Sequence, residues 1–385
     1  MEVYFDNAAT SFPKPEVVYT AMDRFMREVG ASPGRGGHRR ALEASRVVSR
    51  TRNALARLFN VPEPSRIAFT KNATEALNTI FYGYLNKGDH VVASSMEHNA
   101  VWRPLRHLEN TGVIELTEVM CNSEGFLEPK EVEKVLRSNT RLIVLSHASN
   151  VTGALFPVDE ISEIARKHGV ALALDAAQTA GVHPIDLVEM KIDLMAFTGH
   201  KGLFGPPGTG GLFIREGLQL RPLLHGGTGS NSILEEQPED LPDRFEAGTA
   251  NAVGIAGLEA GVDFILKEGV ERIRRREMEL TGYLLGRLSE LAQVTAYGPK
   301  DPQKQVGVVS FRVEAGNASP NEIGYILDEV FEIAVRAGLH CAPRAHRTLG
   351  TLPDGTVRAS LGYFNTEEEI DYLAEALGQI IEKGT

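Results

Sequence analysis

Residues 171–211 read ALALDAAQTAGVHPIDLVEMKIDLMAFTGHKGLFGPPGTGG. One apolar run, 170–174, stops at Asp175; a second, 194–197, stops at Thr198-Gly199-His200-Lys201 and a glycine-proline loop. Strand-length runs that end in polar groups bring those groups to the carboxyl edge of a parallel sheet, where ligands bind. An amine and a carboxylate delivered there suit pyridoxal 5′-phosphate (PLP), because lysine condenses with its aldehyde as a Schiff base while the carboxylate pairs with the protonated pyridine nitrogen. Taken singly, a lysine after a Gly-His turn is an ordinary loop cation and an aspartate closing a strand an ordinary helix cap.

Other run ends repeat the pattern. Thr70-Lys71-Asn72-Ala73-Thr74-Glu75-Ala76 leads into a helical stretch, and the N–H groups of a helix start beside a hydroxyl suit a phosphate, although the same residues also read as a plain N-cap. No Gly-x-x-x-x-Gly-Lys-[Ser/Thr] occurs to support an ATP-type loop. In Glu97-His98-Asn99, the histidine is either a loop residue or a plate over a cofactor ring that moves protons near neutrality. Ser149-Asn150 and Gln178 complete this set of polar groups at run ends. Farther on, Gly338-Leu339-His340-Cys341-Ala342-Pro343-Arg344 holds one of only two cysteines. Glycine and proline imply an exposed loop, and His340 and Arg344 are placed to favour a thiolate. A metal bound through His340, Cys341 and His346 lacks a second ligand pair at the right spacing.

The elements needed to position these groups follow from periodicity. Tyr4 to Asp6 reads as a short strand leading into an arm with Pro13 and Pro15, and residues 32–38 as a flexible loop before an amphipathic helix. Strands at 67–70, 91–94, 142–146, 170–174 and 194–197 alternate with helices from Thr74, after Asn99 and after Pro157, the signature of a parallel sheet covered on both faces. The strand at 211–214 follows too short a loop for a crossover helix and is expected antiparallel. A loop at 226–246 precedes helices at 251–267 and 270–291. A smaller α+β unit then follows, with a strand at 307–313, a helix at 321–337, a strand at 356–361 and a helix at 367–381.

The chain has 385 residues, 42% of them hydrophobic, enough for a large core divided over two domains. A formal net charge of −11, with basic residues scattered apart from a cluster at 272–276, argues against nucleic acid or an anionic membrane as partner. The N-terminal residues lack a basic segment followed by an apolar core, and no stretch has the length of a membrane span. Two cysteines are too few for a disulfide framework. A soluble, cytoplasmic protein is expected.

Taken together, the motifs resemble class V, fold-type I PLP enzymes, and among them the cysteine desulfurase and selenocysteine lyase group, most nearly its SufS-like branch. The resemblance runs from Tyr4-Phe5-Asp6-Asn7-Ala8-Ala9-Thr10 through Asn72-Ala73-Thr74-Glu75, Glu97-His98-Asn99, Ser149-Asn150-Val151-Thr152-Gly153, Asp175-Ala176-Ala177-Gln178, Gly199-His200-Lys201 and Phe245-Glu246-Ala247-Gly248-Thr249 to Arg358-Ala359-Ser360 and Tyr363-Phe364-Asn365-Thr366. It covers nearly the whole chain in one order.

The resemblance implies the α/β fold of PLP-dependent transferases of fold type I: a large domain, 16–264, with a mostly parallel seven-stranded sheet, and a smaller α+β domain, 265–385, joined by the arm 1–15. It implies that Lys201 holds PLP, Asp175 pairs with its ring nitrogen and Gln178 with its hydroxyl. His98 and Ala177 would flank the ring. Ala73, Thr74, Thr198 and His200 would surround the phosphate, with Thr249 reaching in from the second subunit of a homodimer. Asn150, Arg358, Arg336 and His38 would bind the substrate, L-cysteine or selenocysteine. Cys341 would take the sulfur as a persulfide for an acceptor protein, with His98 moving a proton at the substrate thiol. No metal is expected. The branch typically reads Arg-x-Gly-His-His-Cys-Ala; here Leu339 replaces the first His and Pro343 follows Ala342 directly, which touches the thiol's activation and not the PLP site. A class V aminotransferase needs no such thiol. A non-catalytic PLP-binding regulator would carry a DNA-binding segment, and a scaffold for sulfur trafficking would not need both Lys201 and Asp175.

Overall fold

A computed structural model describes residues 1–34, 36–230, 233–316 and 318–383. Arg35 of the loop expected at 32–38, and Asn231 and Ser232 of that at 226–246, lie outside them.

The chain opens with β1 (Val3–Tyr4), α1 (Glu16–Arg24) and α2 (Arg39–Leu58). The large unit follows as β2 (Ile67–Thr70), α3 (Ala73–Tyr84), β3 (Asp89–Ser94), α4 (Asn99–Asn110), β4 (Ile114–Val119), α5 (Pro129–Lys134), β5 (Thr140–Ser146), α6 (Val158–His168), β6 (Ala171–Asp175), β7 (Leu194–Thr198) and β8 (Gly210–Ile214). These strands form one seven-stranded sheet in the order β2-β8-β7-β6-β5-β3-β4. Only β8 runs against the others, as its short connection requires. Gly211 is obligatory there, because a Cβ would enter the Phe197 ring. Apolar side chains fill both faces: Ile143, Leu172, Met195 and Phe197 contribute to one core, and Val91, Leu142, Ala173 and Leu212 to the other.

Next, α7 (Ala252–Glu268) packs Leu258, Val262 and Ile265 into the first of these cores, and Gly269, at φ 84°, turns the chain into α8 (Val270–Ser289). The remaining elements are β9 (Val294–Tyr297), β10 (Val308–Val313), α9 (Pro320–Phe331), β11 (Ile333–Ala334), β12 (Arg336–Gly338), α10 (Pro343–Thr348), β13 (Thr356–Ser360) and α11 (Glu367–Lys383). Antiparallel β12-β13-β10-β9 form a second sheet with its own core, which includes Leu280, Phe311, Ile323 and Leu373. The N-terminal arm joins this unit: β1 pairs in parallel with β11, and Asp6 bridges Ser360.

One expected element is wrong. The helix at 321–337 stops at Phe331, where Glu332 turns left-handed (φ 56°) and its N–H caps the Asp328 carbonyl. The β-branched Ile333 and Val335 then suit pairing better than helix. Arg336 therefore stands on a strand. The sequence reading also passed over α1, β4, α5, β9 and α10. Among the described residues no helix is long and apolar enough to cross a membrane.

Candidate active site

Parallel strands stop in register, so their last residues meet: Ser146 ends β5 opposite Asp175, which ends β6, and Thr198 ends β7. The N-termini of α3 and α4 open onto the same edge, and β12, β13 and the arm close it from the other unit. Between them lies a cavity of about 250 Å³ lined by Ala73, Thr74, His98, Asn150, Asp175, Ala177, Gln178, Thr198, His200, Lys201, Arg336 and Arg358, together with Ala8 and Ala9 of the arm. Twelve residues expected to serve one site thus share one cavity. Three others stand apart. His38 caps α2, its Nδ1 accepting from the Ala41 N–H at 3.3 Å. Thr249 lines a separate cavity of about 310 Å³. Cys341 borders a groove of about 410 Å³ that shares Thr74, His98 and Ala100 with the central cavity.

Burial dominates the electrostatics. It lowers the Lys201 amine to about 8, against the opposing pull of Asp175. The Asp175 carboxyl is raised by burial, an effect offset by the Ala177 N–H, which donates to Oδ1 at 3.0 Å, and by Lys201. His98 falls to about 4 through burial and then Lys201. Its Nδ1 accepts the Ala100 N–H at 3.0 Å and caps α4, so the neutral ring carries its proton on Nε2. With Nδ1 engaged, Nε2 is the ring atom left for the proton transfer expected at the substrate thiol. His200 is likewise lowered to about 4, first by burial.

Polar atoms without partners indicate what the cavity takes. Thr198 Oγ1 and His200 Nδ1 are buried with no hydrogen-bond partner among the described residues. Beside the free N–H groups at the start of α3, they fit a phosphate. Asp175, 5% exposed, fits a protonated ring nitrogen. The donor set matches PLP. Arg358 is 1% exposed; its Nη2 donates to Asp6 Oδ1 at 2.7 Å and its Nη1 to the Asn150 carbonyl at 3.0 Å, while Nε has no partner. That leaves a donor for a substrate carboxylate.

Cys341 is exposed at φ 58°, after His340 at φ 49°, both in the left-handed region that L-residues seldom enter. Bonds from two other segments hold this loop: the Asn99 N–H donates to the Cys341 carbonyl at 2.8 Å, and Asn150 Nδ2 to the His340 carbonyl at 2.7 Å. The cation expected at the sulfur is different from the one found. His340 is buried against Thr356 Oγ1, which its Nε2 meets at 3.0 Å, and burial drives it down to about 2, so it is neutral. Arg344 pairs with Glu118 and lies over the Trp102 ring. Arg336 instead brings Nη2 to 3.5 Å from Cys341 Sγ, placed there by its register opposite Arg358.

Sequence reasoning gave no role of their own to Asp6 and Glu97. Asp6 sits inside the quoted arm motif, the one signal available. Glu97 is fully buried, takes hydrogen bonds from Ser94 Oγ at 2.6 Å, Ser146 Oγ at 2.7 Å and the Ser146 N–H at 2.9 Å, and is raised by burial to about 7. It ties the end of β3 to the end of β5.

A family model described as Aminotransferase class-V matches residues 3–373. The chain is 37% identical to a "Probable cysteine desulfurase" of Methanothermobacter thermautotrophicus, over 99% of this chain and 95% of that protein. It is 35% identical to a "Probable cysteine desulfurase" of Halalkalibacterium halodurans, over 97% and 92% respectively. Among solved structures, the apo form of a cysteine desulfurase from Thermococcus onnurineus NA1 superposes with a TM-score of 0.93 at 34% identity, covering 99% of this chain and 95% of that one.

Proposed function

The chain belongs to the aminotransferase class-V family, and from that membership we propose that it is a PLP-dependent cysteine desulfurase, taking sulfur from L-cysteine onto Cys341 and releasing L-alanine. The observation that carries this reading is the single cavity in which Lys201, Asp175 and Arg358 meet, with an exposed thiol on the groove that opens from it.

When bound, PLP supplies an aldehyde that condenses with amines and a pyridinium ring that draws electrons from the substrate's α-carbon. Lys201 holds it, with an amine that burial keeps partly unprotonated near neutrality. The same amine, when free, would be the base placed to take the proton from the substrate α-carbon. Asp175 keeps the ring nitrogen protonated. Thr74, Thr198 and His200 would hold the phosphate, and Ala177 and His98 would lie against the ring. Arg358 and Asn150 orient the substrate carboxylate. The Cys341 thiolate attacks the substrate sulfur, the carbon–sulfur bond breaks, and the sulfur remains as a persulfide beside Arg336.

The proposed working unit is a homodimer. Thr249 lines a different cavity from Lys201 within its own chain, which supports the reading that it reaches the phosphate from a second copy.

Adding L-cysteine to the purified protein with PLP should yield alanine and one persulfide on Cys341 in equal amounts. Cys341→Ala should keep the borohydride-reducible PLP adduct on Lys201 and lose alanine formation by about 10² or more, the scale of removing a nucleophile. Undiminished alanine, or amino transfer to a keto acid at a comparable rate, would replace this reading with that of an aminotransferase.

A further inference from the structure

The groove outside Cys341 has a charge and a shape that the first half of the reaction does not use. It lies between α3 and α4, which both start at the central cavity and run away from it. Thr74 and Cys341 stand at its inner end, Asn78 and Tyr82 follow at successive turns of α3, and Arg103 and His107 at successive turns of α4. Among the described residues no acidic side chain lines it, although the chain as a whole carries a net charge of −11. Arg103 is exposed and, among the described residues, makes no ion pair or side-chain hydrogen bond. Pro104 has no N–H to give to the Ala100 carbonyl, which leaves that acceptor without its i+4 helical donor beside the groove.

Dimensions decide between a small thiol and a chain. From Thr74 to Tyr82 is two turns of helix, about 12 Å at the helical rise. An extended chain of three to four residues has that length, at about 3.3 Å per residue. We propose that the groove seats an extended segment of a sulfur-acceptor protein whose cysteine reaches Cys341 while a carboxylate within two residues of it meets Arg103 and His107. This rests on the desulfurase reading and names the chemistry of its second half. The acceptor thiolate attacks the outer sulfur of the Cys341 persulfide; the bond between that sulfur and Cys341 Sγ breaks, a new persulfide forms on the acceptor, and Cys341 departs as a thiolate beside Arg336. Atoms and electrons balance without an added oxidant or reductant.

The test loads Cys341 with sulfur by one turnover of L-cysteine and follows transfer to acetyl-Glu-Gly-Cys-Gly-Glu-amide and its Gln and Lys counterparts, which offer the charge on either side of the thiol. Rates should fall in the order Glu, Gln, Lys, by about tenfold from first to last at low salt, and converge at high salt. In Arg103→Glu, loading should proceed as before and the order should reverse. Serine-for-cysteine versions of the peptides, fluorescently labelled, should bind the cofactor-free protein in the same order. Rates within twofold of one another, an order unchanged in Arg103→Glu, or mercaptoacetate serving as well as the Glu peptide would each overturn the proposal. If no persulfide forms on Cys341 before peptide is added, the desulfurase reading itself fails and the proposal with it.

Discussion

Burial sets the protonation of the site one side chain at a time, and Glu97 gives the sharpest consequence. Its carboxyl is raised from an ordinary value near 4.5 to about 7, so the folded protein holds a proton there that the unfolded chain has released. Stability from this group is full below about pH 4.5 and is lost as pH rises toward 7, by about 3 kcal/mol for a shift of this size. Denaturant titrations at pH 5 and pH 7.5 of the cofactor-free protein and of Glu97→Gln should differ by that loss. Glu277, raised to about 8, and the buried histidines held low add their own pH dependence to both proteins, so only the part carried by Glu97 disappears in the variant. An equal pH dependence in the variant would mean that other groups carry it. Pattern was enough to single out Lys201 and Asp175, ordinary residues when taken singly, because successive strand ends deliver their side chains to one edge. It was not enough for the activation of Cys341. Sequence neighbours in a turn diverge: His340 goes inward to Thr356 and Arg344 outward to Glu118, while Arg336 returns to the sulfur from a strand.

That strand was hidden by the way α9 ends. Glu332 takes the left-handed conformation usually reserved for glycine, so no residue type announced the stop. Replacing it by glycine should relieve about 1 kcal/mol of backbone strain, read as a higher denaturant midpoint with unchanged slope; a lower midpoint would show that the exposed contact of Glu332 with the N-terminal amine outweighs the strain. The other elements around the site were legible for a simple reason. Buried parallel strands read as unbroken apolar runs, and the short glycine-proline connection permits only an antiparallel β8. Strand β4, with exposed Glu115 and half-exposed Thr117 and Glu118 at the sheet edge, has no such run and was missed.

At the scale of the molecule, the arm and the small sheet were legible as one unit only through the family motif, since pairings such as Val3 with Ile333 lie more than 300 residues apart. We propose a division at residue 264, where α7 leads from the large sheet toward α8. The proposed dimer is tested by Thr249→Ala, which should weaken PLP binding by about 1.5 to 3 kcal/mol, the range for a hydrogen bond to a charged group. A monomer retaining full PLP at assay concentration would rule out sharing of the site between copies.

The arm also fixes the residue next to Lys201: Thr10 Oγ1 donates to the His200 carbonyl at 2.9 Å and the Ser11 N–H at 3.0 Å, while Asp6 holds Arg358. On a ribosome these residues are made more than 300 residues ahead of β11 and Ser360, with which the arm pairs. The large sheet has all its strands by Ile214, long before then. The crevice for the cofactor can therefore take shape while synthesis continues, but the substrate clamp closes only when the arm meets β11 and β13. Long-range pairing of this kind is slow to form, so nascent or refolding protein should acquire the cofactor earlier than it acquires turnover.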